Sequence, residues 1–484
     1  MSGRLGAARF GEPRPGVTWP AYDPAGHRAG IVHLGIGAFH RAHQAVYTDD
    51  ALALHGGDWR IIGVSLRSAG VHDQLAPQDA LYSVLELGPG AGRLRVVGAI
   101  ERVLAASEGL EPAVAAIADP AVHIVSLTVT EKGYCHDPAS GRLNPDHPEI
   151  ARELAGGAPR SAVGTLAAGL RARAEAGAGP ITLLSCDNLP SNGTVLKHVL
   201  RDYLDRKDAA LVAWVDAHVR TPSTMVDRIV PATTPEDLAR VEGLLGCADL
   251  GAVKAEPFSQ WIVEDDFAGP RPAWDQAGVQ FVADVRPFEL AKLRMLNGAH
   301  STLAYLGLLA GYETVDQVVA DPAIRAVIDR LMRGEAAMTI PPAEGLDAQA
   351  YADALSARFA NAALEHRLRQ IAMDGSQKLP QRLLGTIIDC HSRGITAGAA
   401  IAGVAGWMLY VDRERDGIDD PMAQDLGAVA RAAPDDAALV DALMDVRAIF
   451  GELAGMGWLR EALKTAVARQ RRSCGDQAMT QRSY

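Results

Sequence analysis

The chain has no CxxC pair, and its five cysteines (Cys135, Cys186, Cys247, Cys390, Cys474) are scattered over 484 residues and odd in number. That excludes a disulfide framework and suits the reduced thiols of a cytoplasmic protein. No stretch approaches the ~18 uninterrupted apolar residues of a membrane span. The first twenty residues hold Gly, Pro and Arg rather than an apolar segment, so no signal peptide is expected. Positive charge is in short supply: 47 Lys and Arg stand against 59 Asp and Glu, a net charge of −12. This argues against a nucleic-acid surface and means that an acidic substrate needs a local binding site. Arg469, Arg471 and Arg472 read as a solvated tail. No GxSxG elbow, HExxH, P-loop or internal repeat is present. What remains is a protein whose partner is a small molecule, with neither nucleic acid nor membrane involved.

The chain is too long for one ordinary core, and 48% apolar with 22% charged residues is the balance of globular domains. Gly30–Leu34 and Trp59–Leu66 read as buried strands, the first leading into a helix that runs to Ala53. Further strands are expected at Tyr82–Leu87, Leu94–Ala99, Val122–Val129, Ile181–Cys186, Met225–Val230 and Val279–Val285, with helices at 101–118 and 161–176 among those between. Alternation of this kind implies a largely parallel sheet covered by helices. From about residue 286, Ala/Leu-rich segments at helical spacing take over: 286–310, 314–333, 346–372, 377–391, 395–409, 422–432 and 436–449. The expected architecture is an α/β domain over 1–285 followed by an all-α domain over 286–484.

Gly35-Ile-Gly37 directly follows the first strand, where a dinucleotide-binding fold places its phosphate turn. Glycine there lets the backbone turn tightly and approach a pyrophosphate. The third glycine position holds His40. The acid expected after the second strand, to hold an adenosine ribose, is replaced by Leu66-Arg67-Ser68, a sequence that also accommodates a 2′-phosphate and leaves NAD and NADP both open. His40 and His43 are the nearest histidine pair, and with no cysteine spaced near them a catalytic zinc set is not expected. Tyr203-Leu-Asp-Arg-Lys207 matches the Tyr-x-x-x-Lys pair of short-chain dehydrogenases, but its charged positions are those of a solvated helix.

The most informative segment is Glu289-Leu-Ala-Lys-Leu-Arg-Met-Leu-Asn-Gly-Ala-His300. At about 100° per residue on an α-helix, Lys292, His300 and Asn297 fall near 0°, 80° and 140°, with Glu289 near 60°. One arc thus carries a possible base, a possible relay acid and two hydrogen-bonding groups, beside Leu293 and Leu296. A lysine serves as a base near neutral pH only where burial or a nearby cation lowers it from about 10.4, at roughly 4 kcal/mol. The competing explanation is an ordinary amphipathic helix with an i, i+3 Glu–Lys pair.

Ile31–His43, Ser126–Tyr134, Ser185–Gly193, Met225–Pro231, Lys292–His300 and Asp374–Lys378 together resemble, in order and content, the polyol-specific long-chain dehydrogenase/reductase family. Its members include mannitol 2-dehydrogenase, arabinitol 4-dehydrogenase and fructuronate reductase, and the resemblance spans about residues 20 to 460. It implies a Rossmann domain, a helical domain, a monomer and no metal. By that resemblance Lys292 is the general base, Asn188 and Asn297 donate to the developing alkoxide, and His300 orients the substrate. Glu289 is the proton relay, and Asp227 and Lys378 lie near the substrate. NAD is held by Gly35, Gly37, Phe39, Arg41, Arg67, Thr130 and Glu131. The sequence sits nearest the fructuronate reductase branch, which implies D-mannonate and D-fructuronate, with D-mannitol and D-fructose as the second choice. Arg369, Lys378 and Arg382 are candidates for a substrate carboxylate. A dinucleotide sensor without turnover is the reading from another class. Ordinary roles compete for several residues: an Asx turn for Asn188, pairing with Arg228 or Arg294 for Asp227, a turn cap for Lys378, and packing of the phosphate turn for Phe39 and Arg41.

Overall fold

A computed structural model describes residues 3–88, 92–138 and 140–481, with side chains to residue 473. It divides into two compact units, Met1–Arg286 and Pro287–Tyr484.

The first unit is built on six strands: β1 (Ala29–Leu34), β2 (Arg60–Ser65), β3 (Ile100–Ala105), β4 (Ile124–Leu127), β5 (Ile181–Ser185) and β6 (Val219–Arg220). Their order is β3-β2-β1-β4-β5-β6 and every pairing is parallel. This is the dinucleotide-binding order, whose direction of winding reverses between β1 and β4. A parallel sheet is covered on both faces, so its strands are continuous apolar runs. Accordingly, all six residues of β1 and of β2 are buried. Alternate side chains feed opposite layers: Val32 and Leu34 join one core with Leu166 and Leu200, while Ile31 joins another with Tyr82 and Trp261. A mixed four-stranded sheet (Val17–Thr18, Arg93–Val97, Tyr82–Glu86, Val253–Ala255) and a three-stranded one (Thr224–Asp227, Gln260–Glu264, Gln280–Val282) complete the unit.

The expectation of a helix over 101–118 is corrected. Ile100–Ala105 is the edge strand β3, and the helix is only Glu111–Ala118. Burial along β3 falls on Ile100, Val103 and Ala105, and two of these are β-branched residues that suit a sheet. Ser107-Glu-Gly109 then breaks the chain, with Gly109 at φ +149°, before Pro112 opens the helix.

The second unit carries no strand among the described residues beyond an isolated bridge of Thr314 to Arg367. Its core helix runs Arg286–Ala310, and Gly298–Ala310 packs against Gly398–Arg413. Three stretches are π-helical: Lys292–Asn297, Arg330–Ala336 and Pro380–Leu384. The first packs on both of the others. No helix among the described residues is long and apolar enough to cross a membrane.

Candidate active site

In the first unit the carboxyl ends of β1 and β4 meet at Gly35. It sits at φ +94°, and a Cβ built on it would lie 2.1 Å from the carbonyl oxygen of Thr128. No other residue fits there. Gly37 is different. Its φ is −79°, and a Cβ would meet only the Gly35 oxygen, at 3.8 Å. The space in front of Gly37 is open, which is what a pyrophosphate lying against the backbone requires. Gly37→Ala is therefore expected to melt like the wild type while raising the KM for NADH about tenfold or more; Gly35→Ala should lose the folded unit. Equal KM values for wild type and Gly37→Ala would remove Gly37 from the cofactor site.

Arg41 is buried and donates to the carbonyls of Gly37 and Gly251, with the Tyr82 hydroxyl donating back to the Arg41 carbonyl. It fixes the turn from behind. Phe39 stacks on His43, with ring centroids 5.0 Å apart. Arg67 stands exposed after β2, beside the turn that Ser65 closes by donating to the Ser68 carbonyl.

His33 and His40 lie stacked beneath the turn, ring centroids 3.4 Å apart and planes within 12°. His43 contacts the Gln260 carbonyl through Nε2. All three rings are packed into the core; His33 and His43 are hydrogen-bonded there, while both ring nitrogens of His40 are buried without a partner. Burial lowers His33 to about 3 and holds His40 well below the ordinary imidazole value. A depressed folded value means that the unfolded chain binds more protons below pH ~6.5, so stability present above that pH is lost as pH falls, by about 1.4 kcal/mol per pH unit for each ring. His40→Phe keeps the stack and removes one titration. Its denaturation midpoint should fall less between pH 7 and pH 5 than that of the wild type, and an unchanged acid limb would refute the assignment.

Beyond β4 the chain turns at Thr130, held at φ +65°, ψ +161°, a conformation that strains a β-branched residue by roughly 1–3 kcal/mol. Asp187, just past β5, stabilises it. Its carboxylate accepts from the amides of Val129 (3.0 Å) and Thr130 (2.8 Å) and from the Tyr134 hydroxyl (2.7 Å). Burial pushes this carboxyl above its usual range against the pull of those donors. The strain leaves Thr130 and Glu131 exposed at the carboxyl edge of the sheet. Asp187 was not singled out from sequence; its one signal was its place beside Asn188. For Asn188 an Asx bond to the residue two positions on is closed off, because Pro190 has no amide hydrogen to donate. Asn188 is exposed. Asp227 ends the strand Thr224–Asp227 and is buried. Arg228 is engaged by Glu86 and by the carbonyls of Ala42 and Glu256, and Arg294 pairs with Asp389 at 2.7 Å.

In the second unit the helix carrying Glu289, Lys292, Asn297 and His300 departs from the α-geometry assumed above. Lys292–Asn297 is a π turn, closed by the Gly298 amide donating to the Leu293 carbonyl five residues back. In an α-helix residues three and four apart are neighbours; in a π turn residues five apart are. The spacings of three, five and three between these four side chains therefore place all of them along one stripe instead of across a 140° arc. The sequence gap of five is what made the α reading spread them. Met295, Leu296 and Ala299 face the core behind the stripe, while Lys292 and Asn297 are half-buried.

His300 lies 5.0 Å from the rings of both Phe359 and His366, and its Nε2 is buried with no hydrogen-bond partner. Burial, with the charges of His366, Arg358 and Arg382, holds it well below the ordinary imidazole value. His300 is thus held as a neutral imidazole whose Nε2 has no partner among the described residues. Arg382 donates to the hydroxyl of Ser301, the next residue (3.1 Å). Lys378 donates to the Met373 carbonyl at 2.6 Å and sits 3.7 Å from Asp374. Phe359 and His366 lie in the stretch expected to be helical over 346–372, belong to no site motif and were not singled out from the sequence.

The mannitol dehydrogenase Rossmann domain family matches residues 29–276, and the mannitol dehydrogenase C-terminal domain family matches 284–470. The chain is 45% identical over 446 residues to an Escherichia coli D-mannonate oxidoreductase, covering 90% of this chain and 92% of that one. Among solved structures it is similar to Pseudomonas fluorescens mannitol 2-dehydrogenase in a ternary complex with NAD and D-mannitol (35% identity, TM-score 0.84, 99% of each chain). It is also similar to a substrate-free D-sorbitol dehydrogenase (30% identity, TM-score 0.89, 98% of this chain and 99% of that one).

Proposed function

This chain belongs to the mannitol dehydrogenase family, and from that premise we propose that it interconverts D-mannonate and D-fructuronate with NAD. It is an NAD-dependent secondary-alcohol dehydrogenase. Bound NAD supplies the hydride acceptor for the carbinol carbon. Lys292 takes the proton of the substrate hydroxyl, and Glu289, one helical turn before it, passes that proton towards water. Asn297 donates a hydrogen bond to the oxygen as negative charge gathers on it. His300 holds a neighbouring hydroxyl through its unpartnered Nε2. Gly35 and Gly37 shape the turn for the pyrophosphate, Arg41 holds that turn in place, and Arg67, Thr130 and Glu131 line the edge along which the dinucleotide lies.

The observation that carries the substrate assignment is Arg382 beside His300. Of the three cations considered for a carboxylate, Arg369 is 71% exposed and paired with Glu414, and Lys378 is engaged by a backbone carbonyl. Arg382 bonds Ser301 and acts electrostatically on His300. An aldonate carboxylate suits a fixed guanidinium, whereas a neutral polyol has no charge to meet it. The greater identity to the D-mannonate oxidoreductase supports the same choice. The alternative, D-mannitol and D-fructose, is favoured by the likeness to the mannitol-bound structure.

The test is NADH oxidation with D-fructuronate, D-fructose, tagaturonate and D-xylulose, repeated with NADPH. Fast turnover with fructuronate and NADH alone is expected; fast turnover with fructose and little with uronates would overturn the substrate assignment. Arg382→Leu should lower kcat/KM for fructuronate by about 10–100-fold, and for fructose by less.

A further inference from the structure

The turn that presents Thr130 and Glu131 ends at Cys135, and Cys135 belongs to a cluster outside the dehydrogenase machinery. Cys135 Sγ, a ring nitrogen of His147 and a carboxylate oxygen of Glu149 all lie within 4.8 Å of one another. The scaffold is a short hairpin. His136–Asp137 pairs antiparallel with Arg142–Leu143, and the Asn144 amide donates to the Cys135 carbonyl at 2.9 Å. His147 then caps the helix Pro148–Leu154, with Glu149 in its first turn. Cys135 itself is buried, with φ +51°. The Nδ1 of His147 is also buried and has no hydrogen-bond partner.

We propose that Cys135, His147 and Glu149 form a binding site for a single zinc-class divalent cation, a structural tie that fixes the far end of the Thr130–Tyr134 turn. One thiolate, one imidazole and one carboxylate make a borderline-soft tetrahedral set, completed by a water on the half-exposed side of His147 and Glu149. The charge balance agrees. Glu149 and Glu153 place negative charge beside the Cys135 sulfur, which suits a cation there. On binding, the thiol proton would leave to solvent as the sulfur–metal bond forms, with no electron transferred. The near end of the same turn is already held by Asp187 through Val129 and Thr130. The cation would act on that turn and takes no part in hydride or proton transfer.

The test uses the full chain, stripped with a chelator and titrated with zinc and with cobalt in the absence of NADH. The wild type should bind a single zinc ion per chain, release about one proton on binding at pH 7, and give a thiolate-to-cobalt charge-transfer band. Cys135→Ser should abolish that band, and both Cys135→Ser and His147→Gln should weaken zinc binding by about tenfold or more, with circular dichroism confirming the fold. His147→Gln leaves every thiol in place, so it decides the matter if Cys135→Ser does not fold. Zinc binding by the wild type no tighter than by His147→Gln, or a cobalt spectrum without the thiolate band, would overturn the proposal.

Discussion

Lys292→Ala is expected to lower kcat for alcohol oxidation by about 10²–10⁴ at pH 8, with the KM for NAD and the melting temperature close to wild type. The size of the effect follows from the role. Without the lysine, the hydroxyl proton has no positioned acceptor and must go directly to water. The intact fold follows from position, since Lys292 is half-buried on the stripe while Met295, Leu296 and Ala299 carry the packing. Steady-state kinetics in both directions check this, with differential scanning calorimetry as the control. A variant that keeps more than about a tenth of wild-type kcat, outside the range expected for loss of a general base, would make Lys292 a structural residue.

Asn297→Ala should lower kcat by about 10²–10³, and this loss should appear in kcat far more than in KM. An amide aimed at a developing oxyanion strengthens its hydrogen bond in the transition state, so removing it leaves ground-state binding largely unchanged. The π turn is the reason to expect the effect at this residue. It brings Asn297 closer round the helix to Lys292 than α-geometry would, so under the proposed mechanism base and donor address the same oxygen. Asn297→Asp is the sharper variant: it keeps the shape but places a negative charge where one develops, and it should be at least as impaired as alanine. A rise in KM with unchanged kcat would assign Asn297 to ordinary substrate binding instead.

The division of labour along the chain was legible because strand–helix alternation and Ala/Leu helical spacing are strong, long-window signals. The glycine turn after the first strand was legible too: Gly35 is required by its φ and its close approach to Thr128, while Gly37 leaves open space before its backbone. The misread stretch was Ile100–Ala105, six residues whose apolar spacing fits either period; its partner strand β2 decided the outcome. The stripe proposed as catalytic could be picked out as residues in the sequence, but its geometry could not. A π turn has no composition signature, so an α-helix was the natural assumption and it separated Lys292 from Asn297. Asp187 escaped because its function is tertiary: its donors, Val129, Thr130 and Tyr134, are more than fifty residues away in sequence. His366 and Phe359 reach His300 from the 346–372 stretch, whose helical spacing marks it as a helix but points to no site residue.

The most direct test of the lysine-base chemistry is turnover of Lys292→Ala with small primary amines added to the assay. If the lysine acts as the base, an exogenous amine of suitable size should restore part of the lost rate, saturably, and the rescued rate should rise with amine basicity. Rescue absent for every amine tried, in a variant that still binds NADH with wild-type affinity and already turns over at near wild-type rate, would contradict the account.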